Sequence, residues 1–281
     1  MLLAISSSPE KCCANWASSS NIGAGGSREI DRMIATTKSE QYGHTRLDFP
    51  VPDSAGGFVI QPAKPARGQP WLWYAPSFIS KPYPLPKALH AGYMTRLLEA
   101  GIAIAGVDVG ESWGAPSGRT IFTDFHTLVV REFGLDAKAC LLAQSRGGLM
   151  HYNWAVEHPE RVRCIGAIYA VCEVYRPSRL NAVSAAYGLT PEQLAEQRAL
   201  HNPVDRIAPL AAARVPIFHI HGDVDTVVPL ETNSEELVRN YRMLGGPAEL
   251  LVIHGKGHEE VPEFIECAAV PDFFMKHALR K

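Results

Sequence analysis

The sequence predicts an α/β protein: a mostly parallel sheet of about eight strands with helices on both faces. Three observations predict it. Short apolar runs alternate with helical patterns along most of the chain. The run IAIAGVDVG (102–110) is apolar throughout, as a strand covered on both faces requires. The stretch LLAQSRGGLMHYN (141–153) passes from an apolar strand through one serine and two glycines into a helix-like pattern. A sharp turn there would expose the serine hydroxyl at its tip.

Residues 1–40 include the flexible-linker composition SSSNIGAGGS and are expected to form an N-terminal arm, with the domain over 41–281. TRLDFP and GGFVIQP read as two early strands with Gly56 and Gly57 between them, and PWLWYAP (70–76) as a strand between prolines. HAGYMTRLLEAG (90–101) is a helix closed by Gly101, a residue suited to the positive φ of a C-terminal cap. The apolar strand 102–110 follows. A helix through TIFTDFHTLVVREFG leads to the strand ACLLAQ (139–144), and a helix over 146–158 leads to RCIGAIYAV (163–171). PIFHIHG (216–222) and AELLVI (248–253) are the last two strands. Between them, Leu237, Val238, Tyr241 and Leu244 fall at helical spacing, and Gly245 and Gly246 end that helix. VPEFIECAAVPDFFMKHAL reads as one final helix. Residues 172–215 carry no strand pattern and are expected to form a cap-like insertion above the carboxyl ends of the strands, where ligands bind in such sheets. Within it, Thr190, Pro191 and Gln193 spell a helix start with a capping box.

With 281 residues, 46% of them hydrophobic and 20% charged, the chain can bury one large core. A net charge of -2 gives no electrostatic reason to expect nucleic acid or an anionic membrane as partner. No run reaches the roughly 18 apolar residues of a membrane span. Cys12, Cys13, Cys140, Cys164, Cys172 and Cys267 match no zinc or disulfide spacing, and Cys140 and Cys164 sit in strand-like runs as small hydrophobes. MLLAISSSPEKCC lacks the basic start and longer apolar stretch of a signal peptide. A reducing, cytoplasmic location is therefore expected. The oligomeric state is not legible.

The chemistry gathers around Ser145. A serine elbow between strand and helix follows the pattern G-x-S-x-G. Here it reads Ala143-Gln144-Ser145-Arg146-Gly147, with alanine keeping the first position small. A serine hydroxyl needs a base to become a nucleophile. The glycine-rich HGKGHEE after the last strand offers His258, and His254 is its rival nearer the strand. An imidazole base needs a carboxylate to fix its tautomer. HIHGDVDTVVP offers Asp223 and Asp225. Choosing Asp225 and His258 gives the order serine, acid, histidine.

On these residues the chain resembles the α/β-hydrolase superfamily over roughly residues 45–280. HGDVDTVVP resembles the superfamily's H-G-x-x-D-x-x-V-P acid loop, which puts the acid on Asp225 and leaves Asp223 to shape the turn. After the third strand YAPSF stands where many members have His-Gly. The resemblance implies an oxyanion hole of two backbone N–H groups. One is expected from Arg146. Pro76 has no N–H, so Ser77 is the first choice for the other and Phe78 the second. The implied activity is a serine hydrolase cleaving carboxylic esters through an acyl-enzyme, without metal or organic cofactor, on a small to medium soluble ester. A prolyl-oligopeptidase-like peptidase and a catalytically silent binding module are the alternatives.

HIHGDVD also resembles the H-x-H-x-D start of a metal-hydrolase motif, with His219 and His221 on one face of a strand. Thr226 stands where that motif continues with histidine, and the serine elbow would go unused. No metal is expected. Glu111 and Trp113 in VDVGESWGAPSGR, together with Tyr187 in the insertion, are candidate pocket residues. A structural salt bridge is the expected use of the Arg146 side chain.

Overall fold

The computed structural model describes residues 34–79 and 84–279. The arm expected over residues 1–40 lies mostly outside them. Its last residues belong to strand β1 (Thr37–Gln41), which makes nine strands rather than eight. TKSEQ has no apolar alternation, and β1 is a solvated edge strand. Tyr42 and Gly43, both at positive φ, form a tight two-residue turn to β2 (His44–Phe49).

The chain continues through β3 (Gly57–Gln61), β4 (Trp71–Ala75), α1 (Ala91–Glu99), β5 (Ala103–Val107), α2 (Pro116–Phe133), β6 (Ala139–Gln144), α3 (Gly147–Ala155) and β7 (Val162–Ile168). Five short helices follow: α4 (Pro177–Tyr187), α5 (Pro191–Glu196), α6 (Arg198–His201), α7 (Pro203–Arg206) and α8 (Ala208–Ala212). The chain closes with β8 (Ile217–Gly222), α9 (Glu236–Met243), β9 (Ala248–Ile253), α10 (Pro262–Ile265) and α11 (Ala269–Ala278). The sheet order is β1-β2-β3-β5-β4-β6-β7-β8-β9. Pairings among the first three strands and between β3 and β5 are antiparallel, and the rest are parallel.

Successive side chains of a strand face opposite sides, and β4 shows the result. Trp71, Trp73 and Ala75 enter one core with Phe122 and Phe125 of α2, Trp154 of α3 and Tyr241 of α9. Leu72 and Tyr74 enter the other, with Tyr93 and Leu97 of α1 and Phe273 and Phe274 of α11. The sequence reads one closing helix where the structure has two. Pro271 explains the break. Its missing N–H is tolerated in the first turn of α11 but would interrupt a helix continuing from α10.

Residues 172–215 divide between the main core, which Val204, Ile207, Leu210 and Ala211 enter, and a smaller apolar cluster. Val174, Val183 and Leu194 pack with Leu149 of α3 and Val228, and Trp113 and Tyr187 lie against them. Thr190 Oγ accepts the Gln193 N–H at 3.2 Å, and the Thr190 N–H donates to Gln193 Oε1 at 2.9 Å, closing the capping box. Among the described residues no helix is long and apolar enough to cross a membrane.

Candidate active site

Ser145 stands between β6 and α3 at φ 50°, left-handed backbone that few non-glycine residues adopt. The turn is clamped. The Ser145 N–H donates to the Ile168 carbonyl at 3.0 Å, and its carbonyl accepts from Gly148 at 3.0 Å and Val171 at 2.8 Å. A Cβ on Gly147 would overlap the Ala75 carbonyl, and one on Gly148 the Val171 carbonyl. Glycine lets α3 start hard against the strand ends. Every residue of α3 is buried, so its N-terminus points at Ser145 from the interior.

His258 hangs in the loop after β9. Its Nε2 lies 2.9 Å from Ser145 Oγ, and its Nδ1 lies 2.8 Å from Asp225 Oδ2. Nδ1 donates to the carboxylate, which leaves Nε2 as acceptor for the serine hydroxyl. Asp225 Oδ1 takes the N–H groups of Val227 at 2.9 Å and Val228 at 2.7 Å. Burial opposes its ionisation, but hydrogen bonds from His221, His258 and the Val228 N–H prevail and hold the carboxyl well below the usual carboxylate range. The rivals pair with each other. His254 Nδ1 meets Asp223 Oδ2 at 2.7 Å on the exposed side of the loop, and the Gly255 N–H meets Oδ1 at 2.7 Å.

His219 and His221 are fully buried and spend their nitrogens on protein partners. The Val228 carbonyl, 2.8 Å from His221 Nε2, requires a proton on that nitrogen, and the same N–H leans on Asp225 Oδ2 at 3.3 Å. His221 Nδ1 then accepts from Ser234 Oγ at 2.7 Å, Ser234 accepts from His219 Nδ1 at 2.7 Å, and His219 Nε2 accepts from Tyr152 Oη at 2.7 Å. A directed chain of hydrogen bonds thus runs through the interior and ends on the carboxylate. The pairing of two histidines on one strand face was legible; their use as props of Asp225 was not, because Ser234 and Tyr152 are remote in sequence.

A cavity of about 310 Å³ opens beside Ser145 and His258. Tyr74, Gln144 and Tyr169 line it, together with Pro76, Leu85, Glu259 and Glu260. Lys87 pairs with Glu260 at its edge, and Glu260 also meets the buried His90 Nε2 at 3.1 Å. Sequence reading missed this lining, although Gln144, a polar residue ending an apolar strand, was a signal.

The remaining candidates lie around the cavity. Pro76 reaches it, whereas Ser77 and Phe78 are buried and do not line it. The Ser77 hydroxyl donates to the Tyr74 carbonyl. Arg146 lines the cavity, pairs with Glu111, and carries its guanidinium over the rings of Phe78 and Trp113 at 5.4 and 5.8 Å. Glu111, Trp113 and Tyr187 do not line this cavity. Tyr187 Oη donates to the Trp113 carbonyl and accepts from Asn153 Nδ2, both at 3.2 Å, which ties α4 to α3 and to the loop before α2.

Sheet, elbow and site together define a member of the α/β-hydrolase superfamily, of the serine esterase and peptidase type. A family model described as the prolyl oligopeptidase family matches residues 123–279, and the chain belongs to that family. No curated protein matches it in sequence. Among solved structures, it is similar to an S-formylglutathione hydrolase from Agrobacterium tumefaciens, with TM-score 0.65 and 14% identity over 87% of this chain and 98% of that one. Carboxyl esterase 2 from Tuber melanosporum gives TM-score 0.61 and 14% identity, covering 91% and 89% of the two chains. The acylaminoacyl peptidase of Pyrococcus horikoshii gives TM-score 0.62 and 14% identity over 89% of this chain but 43% of that one.

Proposed function

We propose that the protein hydrolyses small to medium carboxylic esters with Ser145 as nucleophile, His258 as base and Asp225 as the acid that orients it. The observation that carries this reading is the unbroken hydrogen-bonded line Asp225–His258–Ser145 at the edge of a cavity. His258 Nε2 takes the hydroxyl proton as Ser145 Oγ adds to the ester carbonyl. Asp225 stabilises the imidazolium. The Arg146 N–H, at the start of α3, is one donor to the tetrahedral oxyanion, and the proposed second is the N–H of Ser77, whose side chain lies outside the cavity but whose backbone directly follows the lining Pro76. The intermediate collapses as the C–O bond breaks, and the alcohol leaves with the proton from His258. Water then repeats the sequence on the acyl-enzyme and frees Ser145. Every proton His258 takes it returns, so the cycle closes on protein groups and water alone.

Esters are favoured over peptides because the similar esterases are matched over nearly their whole length, whereas the chain spans less than half of the acylaminoacyl peptidase. The test is hydrolysis of p-nitrophenyl acetate, butyrate and octanoate beside aminoacyl anilides, with and without EDTA. Wild type is expected to turn over the shorter esters with or without EDTA, and Ser145→Ala to lose about 10⁵-fold or more in kcat while staying folded. Wild-type-like turnover by Ser145→Ala would sink the assignment. Faster anilide than ester cleavage would move it to a peptidase.

A further inference from the structure

We propose that Tyr169 is a substrate-recognition residue of the Ser145 cavity, selecting esters that carry an acceptor oxygen in the acyl group close to the scissile carbonyl. The inference deepens the ester-hydrolase reading and rests on it. Three of the side chains lining the cavity form a hydrogen-bonded row. Tyr74 Oη donates to Gln144 Oε1 at 2.9 Å, and Gln144 Nε2 donates to Tyr169 Oη at 2.7 Å. A glutamine amide has one accepting end and one donating end. Tyr74 takes the first, so Tyr169 faces the second and its oxygen accepts. The Tyr169 hydroxyl proton is directed elsewhere, and no side chain or carbonyl among the described residues receives it.

That proton belongs to a residue lining the cavity with Ser145 and His258. The Tyr169 ring lies 4.5 Å, centroid to centroid, from the His258 ring and is backed edge-on by Phe264 at 5.1 Å. Its backbone leaves β7 at φ 36°, and its N–H is held by the Ile220 carbonyl at 2.9 Å. Such a conformation in a bulky residue persists only where its surroundings impose it, and such residues cluster at ligand sites. Burial also raises the phenol above the usual tyrosine range, which keeps it a donor. An alkyl chain against this row leaves a desolvated donor without a partner, which costs more than a hydrogen bond returns. An ether, hydroxyl or carbonyl oxygen at the same place satisfies it.

The test compares p-nitrophenyl methoxyacetate with p-nitrophenyl butyrate, which have equal length and differ by one oxygen in place of one methylene. kcat/KM is measured for both in wild type, Tyr169→Phe and Gln144→Glu. Comparing ratios between proteins cancels the esters' different intrinsic reactivity. The methoxyacetate-to-butyrate ratio is expected to fall about tenfold in Tyr169→Phe, the loss of one well-placed donor. Gln144→Glu keeps both tyrosines but offers each an acceptor, so the Tyr169 proton turns inward and the ratio falls likewise. A purely structural role would slow both esters together. Ratios unchanged in both variants, with turnover still dependent on Ser145, overturn the inference and leave the hydrolase reading standing. Turnover of these esters by Ser145→Ala overturns both.

Discussion

Asp223 and Asp225 stand two positions apart on one loop, and each meets a histidine from the next loop, yet their surroundings differ. Asp225 is buried, takes two backbone N–H groups and receives His221 and His258 together. Asp223 faces solvent with His254, whose side chain is 87% exposed, so that pair is screened and worth little. We predict that Asp225→Asn lowers kcat by about 10³-fold to 10⁴-fold, because an amide cannot support imidazolium or hold the same tautomer. Asp223→Asn is expected to change it by less than about threefold, in keeping with a screened surface pair. Ester kinetics on the two variants decide, and the reverse ranking would move the acid to Asp223.

At the scale of elements, the decisive feature is how closely α3 approaches the ends of β4 and β7. The Cβ that Gly147→Ala adds meets a main-chain carbonyl rather than a movable side chain, so a backbone must shift. The expected cost is about 3 kcal/mol, at the upper end for overpacking, with activity lost as Ser145 moves. A urea midpoint and turnover like wild type in Gly147→Ala would contradict the close approach. The same scale shows what the sequence could disclose. Strands of the parallel core announce themselves because burial on both faces demands apolar residues, as in ACLLAQ. The edge strand β1 has no such demand, and only the Tyr42–Gly43 turn hinted at it. Ser145, Asp225 and His258 stood out because each follows a strand in a recognisable loop. Tyr169 reads as core until its hydroxyl is found beside the cavity. Trp113 reads as a pocket candidate and Phe78 as the second choice for an oxyanion donor, but the Arg146 guanidinium lies over both rings.

Across the whole molecule, buried imidazoles link stability to acidity. His151 and His219 are fully buried, and burial pulls each down to about 3. In the unfolded chain they titrate near 6.5. Their contribution is therefore complete above about pH 6.5 and is lost as pH falls towards 3, at about 1.4 kcal/mol per pH unit for each. Urea unfolding at pH 7.5 and pH 5 should differ by about 4 kcal/mol from these two residues. A midpoint that does not move would show that neither imidazole is desolvated in the fold. The strands β4 to β9 run in one direction, so their exits share one rim, while the two cores lie below it on either face of the sheet. A third, smaller cluster joins Val174, Val183 and Leu194 to Leu149 of α3 and to Val228. Tyr74 and Tyr169 belong to one of the two cores and also line the cavity, so a designer or an evolving lineage that rewrites the rim for a new substrate must repack what lies beneath it.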